Sequence, residues 1–156
     1  MNLNRGFSCI ALDNPKDKNN VGGAMRAAFV YEANLVVIGN GRFERSATDV
    51  FETWRNAPVL RVADVFDALP YDTVPVGVDL VDGATPLPDY EHPRRAFYVF
   101  GAEDATLGER ILGRCRDRIF IPMRGCMNLA ACVNVVLYDR MAKQMRNAAS
   151  QARMTA

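Results

Sequence analysis

The chain has 156 residues and a formal net charge of +1, a length typical of one domain. Hydrophobic residues make up 49% and charged residues 24% of the sequence, which excludes a disordered chain and a collagen-like one. The longest apolar stretch, Leu129 to Tyr138, is interrupted by Asn134 and is shorter than the ~20 residues of a membrane span. Because the first residues carry no signal-peptide pattern, we expect a soluble, cytoplasmic protein.

The charges are distributed unevenly along the sequence. Between Ala47 and Pro93, Arg55 and Arg61 oppose nine acids, so this segment carries 2 − 9 = −7 and the two flanking segments together carry +8. Only three of the 19 basic residues are lysine, and the planar arginine fork suits phosphate recognition. A GC-rich genome would explain the arginine content equally well, so this feature alone does not decide for a nucleic-acid partner.

The cysteines and the single histidine give no sign of metal or disulfide chemistry. Four cysteines are widely spaced without a CxxC pair, which favours reduced thiols over a zinc site or a disulfide framework. His92 lies in a Glu-His-Pro stretch that we interpret as a surface loop. We therefore predict no metal site and no nucleophilic hydrolase, since a GxSxG elbow is also absent.

Apolar runs alternate with helical patterns from one end of the sequence to the other. The first strand, Phe7 to Leu12, precedes a helix from Val21 to Ala33 with Asn19 or Asn20 as its N-cap, since asparagine is favoured there. The further predicted strands are Leu35 to Ile38, Val59 to Val62, Val74 to Leu80, Ala96 to Phe100 and Ile119 to Ile121. The further predicted helices are Ala47 to Arg55, Asp64 to Leu69, Leu107 to Arg116 and Asn128 to Arg146.

This alternation predicts an α/β domain with a mostly parallel sheet and helices on both faces. We expect a single domain over 1–147 and a flexible tail over 148–156. In such sheets ligands bind at the carboxyl ends of the strands, which directs attention to the loops that follow them.

Three of these loops carry unusual residue patterns, each with an ordinary structural explanation when taken alone. Asn20-x-Gly22-x-x-x-Arg26 begins the first helix, Phe100-Gly101-x-Glu103 ends a strand, and Ile121-Pro122-Met123 leads into Asn128-Leu129. Arg26 alone is more often a solvated residue, whereas Glu103 and Asn128 are each suited to capping a helix. The first pattern is neither GxGxxG nor a P-loop.

In this order and spacing, the three patterns resemble the motifs of the SpoU-type RNA 2′-O-ribose methyltransferases of the SPOUT class. The resemblance covers nearly the whole chain and implies methyl transfer from S-adenosylmethionine to a ribose 2′-hydroxyl of RNA. It also implies a homodimer and a C-terminal trefoil knot, which the general rarity of knots argues against. Because we expect the core itself to bind RNA, tRNA is favoured over rRNA.

The resemblance assigns a role to each matching residue. The catalytic set would be Arg26 with Asn20, Glu103 and Asn128 around it. An arginine is a poor general base, so Arg26 is expected to grip a phosphate and position the hydroxyl. The cofactor would be held by Val78, Asp79, Gly101, Ile121, Met123 and Leu129.

Two other classes of function remain open at this point. Cys126, Ala130 and Thr106 stand where the family commonly has Ser, Ser and Gly, so the chain could be a SPOUT-fold protein that binds RNA or cofactor without catalysis. A flavodoxin-like nucleotide-binding domain would explain the layers but not the order of the three motifs.

Overall fold

Seven parallel strands form one sheet in the computed structural model, which describes residues 6–40, 52–102 and 105–154. The strands are β1 (Phe7–Asp13), β2 (Leu35–Gly39), β3 (Val59–Val62), β4 (Val74–Val78), β5 (Thr85–Pro86), β6 (Arg95–Phe100) and β7 (Asp117–Phe120), and the helices are α1 (Lys18–Val30), α2 (Gly108–Leu112) and α3 (Leu129–Met154). The strand order is β3-β2-β1-β6-β4-β7-β5, and every pairing is parallel. The predicted, mostly parallel sheet is therefore confirmed.

Both faces of the sheet are buried, as the continuous apolar runs predict. In β1, Ile10 and Leu12 point into the cluster that contains α1 and α3, whereas Cys9 and Ala11 point into the cluster that contains α2. The alternation follows from the two-residue period of a strand. Helices thus cover both faces of the sheet, with α1 and α3 on one side of the central strands β1 and β6 and α2 on the other.

The first helix begins earlier than the sequence predicted. Its N-cap is Asp17, whose carboxylate accepts a hydrogen bond from the Asn19 N–H at 2.7 Å. The prediction of Asn19 or Asn20 as the cap is therefore wrong, because an aspartate two residues upstream satisfies the exposed N–H groups. Asn20 lies in the first turn of α1 instead.

The predicted helices in the middle of the chain are shorter than expected. The segment from Val65 to Ala68 is a 3₁₀ helix capped by Asp64, and Pro70 disfavours helical backbone at the residue before it. The second helix, α2, ends at Leu112 with Gly113 as its C-cap, and not at Arg116 as predicted. Of the predicted helix at 47–55, residues 47–51 lie outside the described residues, and a 3₁₀ turn occupies Thr53–Arg55.

The last helix is longer than predicted and the expected tail is helical. The helix α3 runs to Met154, so residues 148–154 are not the loose segment that we expected. Alanine, glutamine and arginine dominate this stretch, and their high helix propensity favours helix even without packing. The short strand β5, in the proline-rich stretch, was also not predicted.

A buried arginine ties α3 to the amino-terminal ends of the two central strands. Arg140 is 3% exposed. Its Nη1 donates to the Pro93 carbonyl oxygen at 2.7 Å, and its Nη2 donates to the carbonyl oxygens of Arg94 and Phe7 at 3.0 and 3.3 Å. Nη1 also donates to the Tyr98 hydroxyl at 3.2 Å. One side chain therefore satisfies three backbone acceptors far from it in sequence.

His92 is buried next to this arginine, which corrects the prediction of a surface position. Its side chain is 3% exposed, with Nδ1 at 2.6 Å from the Tyr98 hydroxyl and Nε2 at 2.8 Å from Asp139 Oδ2. Burial lowers the pKa of His92 to about 4, although Asp139 opposes this shift, and burial raises the pKa of Tyr98 to about 12. The neutral imidazole fits both contacts if Tyr98 donates to Nδ1 and Nε2–H donates to Asp139.

We expect the protein to become less stable as the pH is lowered, because His92 must remain neutral in the fold. Between its ordinary pKa of ~6.5 and the folded value, the unfolded chain binds a proton that the folded chain does not. The contribution is fully present above ~6.5 and decreases as the pH falls through this window. Lowering the pH from 6.5 to 5 should cost about 2 kcal/mol of unfolding free energy.

Urea unfolding across this pH range measures the effect. The control is His92→Gln, which cannot be protonated and should lose this part of the pH dependence. A variant with the same slope between pH 6.5 and 5 as the natural chain would contradict the assignment.

Candidate active site

A cavity of about 630 Å³ opens at the carboxyl ends of β4, β6 and β7. The strand ends meet because Phe100 of β6 is in register with Val78 of β4, and Val78 with Ile119 of β7. The loops after these three strands and the first turn of α3 form the walls. This is the position at which parallel α/β sheets bind ligands, and the volume is in the usual range for small-molecule sites.

All six residues predicted to hold a cofactor line this one cavity. They come from three segments separated by at least 20 positions in the sequence, so only the fold brings them together. The six are Val78, Asp79, Gly101, Ile121, Met123 and Leu129. Their role as cofactor ligands remains a prediction.

The predicted catalytic residues are distributed differently. Asn128 lies between Met127 and Leu129, which both line the cavity, whereas Asn20 and Arg26 lie on α1 and are not part of the lining. Glu103 lies outside the described residues. The site therefore consists of a cavity at the sheet edge with α1 beside it.

Asn128 is the N-cap of α3. Its Oδ1 accepts a hydrogen bond from the Ala131 N–H at 2.8 Å, and its carbonyl oxygen accepts one from the Cys132 N–H at 3.0 Å. Upstream of it, Gly125 has a φ of +92°, a conformation that favours glycine. This turn directs the chain from β7 into α3 and places the capped helix end at the cavity.

The carboxylate of Asp79 braces the cavity from one loop to the next. Its Oδ2 accepts a hydrogen bond from the Leu107 N–H at 2.7 Å, joining the end of β4 to the start of α2. A Cβ added to Gly101 would lie 3.3 Å from Leu107 Cδ2 and 3.4 Å from the Ala105 carbonyl oxygen. Leu107 thus packs tightly against Gly101, and the Asp79 contact fixes it there. The motif spacing did not identify this bridge because a contact over 28 positions leaves no local pattern.

The sequence resemblance implies S-adenosylmethionine as the ligand of this cavity, and we expect Asp79→Ala to weaken its binding about 10-fold or more, since a hydrogen bond to a charged group contributes ~1.5–3 kcal/mol. Asp79→Asn keeps one acceptor oxygen and should lose less. Isothermal titration with the cofactor measures both, and a thermal melt controls for folding. Equal affinity in Asp79→Ala and the natural chain would show that the brace does not shape the site.

The helix that carries Arg26 packs closely against α3. A Cβ added to Gly23 would lie 2.7 Å from the Ala130 Cβ, so a larger side chain at either position would push the helices apart. The close packing of α1 against α3 therefore explains why residue 130 is an alanine. Arg26 follows Gly23 by three residues and is exposed.

Ion pairs lie at the carboxyl end of β1, next to the cavity-forming part of the sheet edge. Arg110 of α2 donates through Nη2 to both carboxylate oxygens of Asp13, at 3.1 and 3.0 Å. Arg114 Nη1 donates to Asp64 Oδ2 at 2.7 Å. The Phe66 N–H and Arg114 lower the pKa of Asp64. These contacts anchor α2, which follows the loop that lines the cavity.

The lining of the cavity is suited to binding and positioning a ligand. Aliphatic and sulfur-containing side chains dominate its walls, and burial raises the pKa of the Cys132 thiol in its lining. A thiol that stays protonated is a poor nucleophile. In the described part of the chain, no three metal-ligating side chains come together, and no helix is long and apolar enough to cross a membrane.

Comparison with known proteins identifies relatives of this fold and sequence. The family model for the SpoU rRNA Methylase family matches residues 8–138. A Mycobacterium leprae protein named as an uncharacterised tRNA/rRNA methyltransferase is 28% identical over 151 residues, which cover 88% of this chain and 47% of the relative. The chain thus spans about half of that relative's length.

Solved structures of methyltransferases have the same fold as this chain. The SpoU methyltransferase AviRb from Streptomyces viridochromogenes, in complex with AdoMet, superposes with a TM-score of 0.78 at 21% identity, over 92% of this chain and 62% of AviRb. A structure described as explaining the 2-OH methylation of C/U34 on tRNA superposes with a TM-score of 0.73 at 23% identity, over 92% of this chain and 99% of that one.

Proposed function

Because the chain belongs to the SpoU rRNA Methylase family, we propose that it is an S-adenosylmethionine-dependent RNA methyltransferase that acts on a ribose 2′-hydroxyl. The observation that carries this proposal is the single cavity at the carboxyl ends of β4, β6 and β7. Six residues chosen through the family resemblance line it, although they derive from separate loops.

The residues present fit this cofactor. An apolar cavity lined by three loops suits an adenine ring, which needs only a few hydrogen bonds to fix its orientation. Val78, Ile121 and Leu129 supply apolar walls, and Gly101, which packs against Leu107, contributes to the lining as well. When bound, the cofactor supplies an electrophilic methyl group on a sulfonium.

Arg26 is proposed to hold the RNA. An arginine guanidinium binds phosphate oxygens in a bidentate manner. Gripping a phosphate next to the target would place the ribose 2′-hydroxyl near the methyl group, and positioning of this kind can account for much of a rate enhancement. Asn20, Glu103 and Asn128 are proposed to complete this site.

We favour tRNA over rRNA as the substrate. The structure concerned with methylation on tRNA matches this chain over 99% of its own length, so the two have similar cores. We also propose that the reaction takes place in the cytoplasm.

We also propose that two copies of the chain associate. The carboxyl end of α1 and the adjoining face of α3 expose large apolar side chains, among them Val30 (52% exposed) and Tyr138 (56% exposed). Tyr31 links the two helices through an edge-on contact with Tyr138, with ring centroids 6.4 Å apart. Exposed apolar surface of this kind is typical of an interaction site. Sedimentation velocity of the purified chain tests the dimer.

We also propose that the C-terminal part of the chain forms a trefoil knot. The strand β7 pairs with β4 rather than with β6, so the chain crosses β4 on its way from β6 to β7 before it enters α3. A crystal structure traced through residues 74–154 tests whether this path is threaded.

Incubation of the purified chain with methyl-labelled S-adenosylmethionine and unmodified tRNA or rRNA tests the proposal. We expect label in tRNA that is released as a 2′-O-methylated nucleoside after digestion. Label on a base would overturn the 2′-hydroxyl assignment. Cofactor and RNA binding without transfer would favour the non-catalytic alternative.

A further inference from the structure

The last ten described residues of α3 project from the body of the protein. All residues from 145 to 154 are exposed, so the helix extends about 15 Å beyond its last packed turn at a rise of ~1.5 Å per residue. No Asp or Glu occurs after Asp139, whereas four basic residues do. The projecting helix is therefore positive over its whole length.

Two of these four cations are already engaged within the fold. Arg140 donates to backbone carbonyls, as described above, and Lys143 Nζ lies 2.6 Å from the Leu87 carbonyl oxygen and 2.7 Å from Asp139 Oδ2. Arg146 and Arg153 are exposed, and among the described residues their side chains form no hydrogen bond or ion pair. These two guanidinium groups are thus available to a partner.

The two arginines share one face of the helix. They are seven positions apart, which at 3.6 residues per turn separates them by about 20° around the axis and ~10.5 Å along it. Ser150 lies between them, and its hydroxyl donates back to the Arg146 carbonyl oxygen at 3.0 Å. The apolar Tyr138 and Met145 lie about 60° to 100° away from the two arginines around the helix. The arginine face is therefore distinct from the apolar face proposed for the dimer.

We propose that the face formed by Arg146 and Arg153 binds the phosphate backbone of the RNA substrate, an inference that rests on the proposed function. The face carries cations and hydrogen-bonding groups without large apolar side chains, which suits a polyanion. A membrane surface would require a row of Trp, Phe or Leu beside the cations, which this face lacks. Arginine forks satisfy phosphate oxygens directly and carry no sequence preference.

The position of this face indicates a role in affinity rather than in the chemical step. Arg146 and Arg153 lie 17 and 24 residues beyond Leu129 at the cavity, or about 26 and 36 Å along the helix axis. A full-length tRNA is large enough to contact both regions. The two arginines therefore act as positioning contacts for the RNA and not as catalytic residues.

The test compares the double variant Arg146→Gln/Arg153→Gln with a control that removes the same charge. Arg55→Gln/Arg116→Gln is suitable because each of these exposed arginines is paired with an acid of this chain, Glu52 and Asp117. Binding of fluorescent, unmodified tRNA is followed by anisotropy over a series of KCl concentrations. Initial rates of methylation are measured in parallel.

We expect the double variant to bind tRNA roughly 10-fold more weakly at 0.1 M salt, with the slope of log affinity against log salt reduced by about 1.4 to 1.8 for two lost phosphate contacts. The KM for tRNA should rise, whereas kcat and the affinity for S-adenosylmethionine should not change. The control should bind like the natural chain.

Three results would overturn the inference. Unchanged affinity in the double variant, an equal loss in the control, or a loss that accompanies dissociation of the dimer would each assign the arginines another role. If the natural chain binds tRNA without methylating it, the proposed enzyme activity is wrong. The binding measurements on the variants still decide whether Arg146 and Arg153 bind RNA. If the natural chain binds no RNA, both fail.

Discussion

Arg26→Ala is expected to lower the rate of RNA methylation by about 10²–10³ while the affinity for S-adenosylmethionine stays within twofold. The magnitude is that typical for loss of a group that positions or stabilises the reacting atoms. The cofactor should still bind because Arg26 lies on α1 and not in the cavity lining. Single-turnover methylation of tRNA and calorimetric titration of the cofactor measure the two quantities.

Lys18→Ala serves as the matched control, since Lys18 is an exposed cation on the same helix. It should retain at least half of the activity. Arg26→Lys keeps the charge but loses the fork, and should recover only a small part of the rate. Natural turnover in Arg26→Ala would exclude the proposed role, and a lowered melting temperature would show that the helix itself is affected.

Arg140→Met is expected to lower the unfolding free energy by about 3 kcal/mol or more, because buried carbonyl groups lose their only cationic donor. The affected acceptors include Pro93 and Arg94, which precede the central strand β6. Methionine fills a comparable volume, so the loss reports the missing hydrogen bonds more than a cavity. Urea unfolding at pH 7 measures the change.

Arg146→Met, six residues further along α3, is the control for this measurement. It is exposed, and surface substitutions usually change stability by less than ~0.5 kcal/mol. Equal effects of the two substitutions would mean that Arg140 contributes helix propensity rather than a link between α3 and the sheet.

Local sequence patterns predicted most of the sheet and the location of the site. The strands β1, β2 and β6 lie within one residue of the predicted runs, since strands buried on both faces are continuous apolar segments. Helix ends were predicted less well, as with Asp17 in place of Asn19 or Asn20, because several nearby residues can serve as caps. The two-residue strand β5 is too short to produce a periodic signal.

The sequence alone predicted the alternation of strands and helices and, through the family resemblance, six of the residues that line the cavity. The tertiary structure decided which groups are paired at long range. His92 is buried only because Tyr98 and Asp139 meet it from β6 and α3, and Asp79 braces the site through a backbone group 28 positions away. Such contacts depend on how elements pack, and a hydrogen bond between distant residues leaves no periodicity in the chain. The projection of α3 was decided in the same way, because only the fold shows where packing ends and the helix continues.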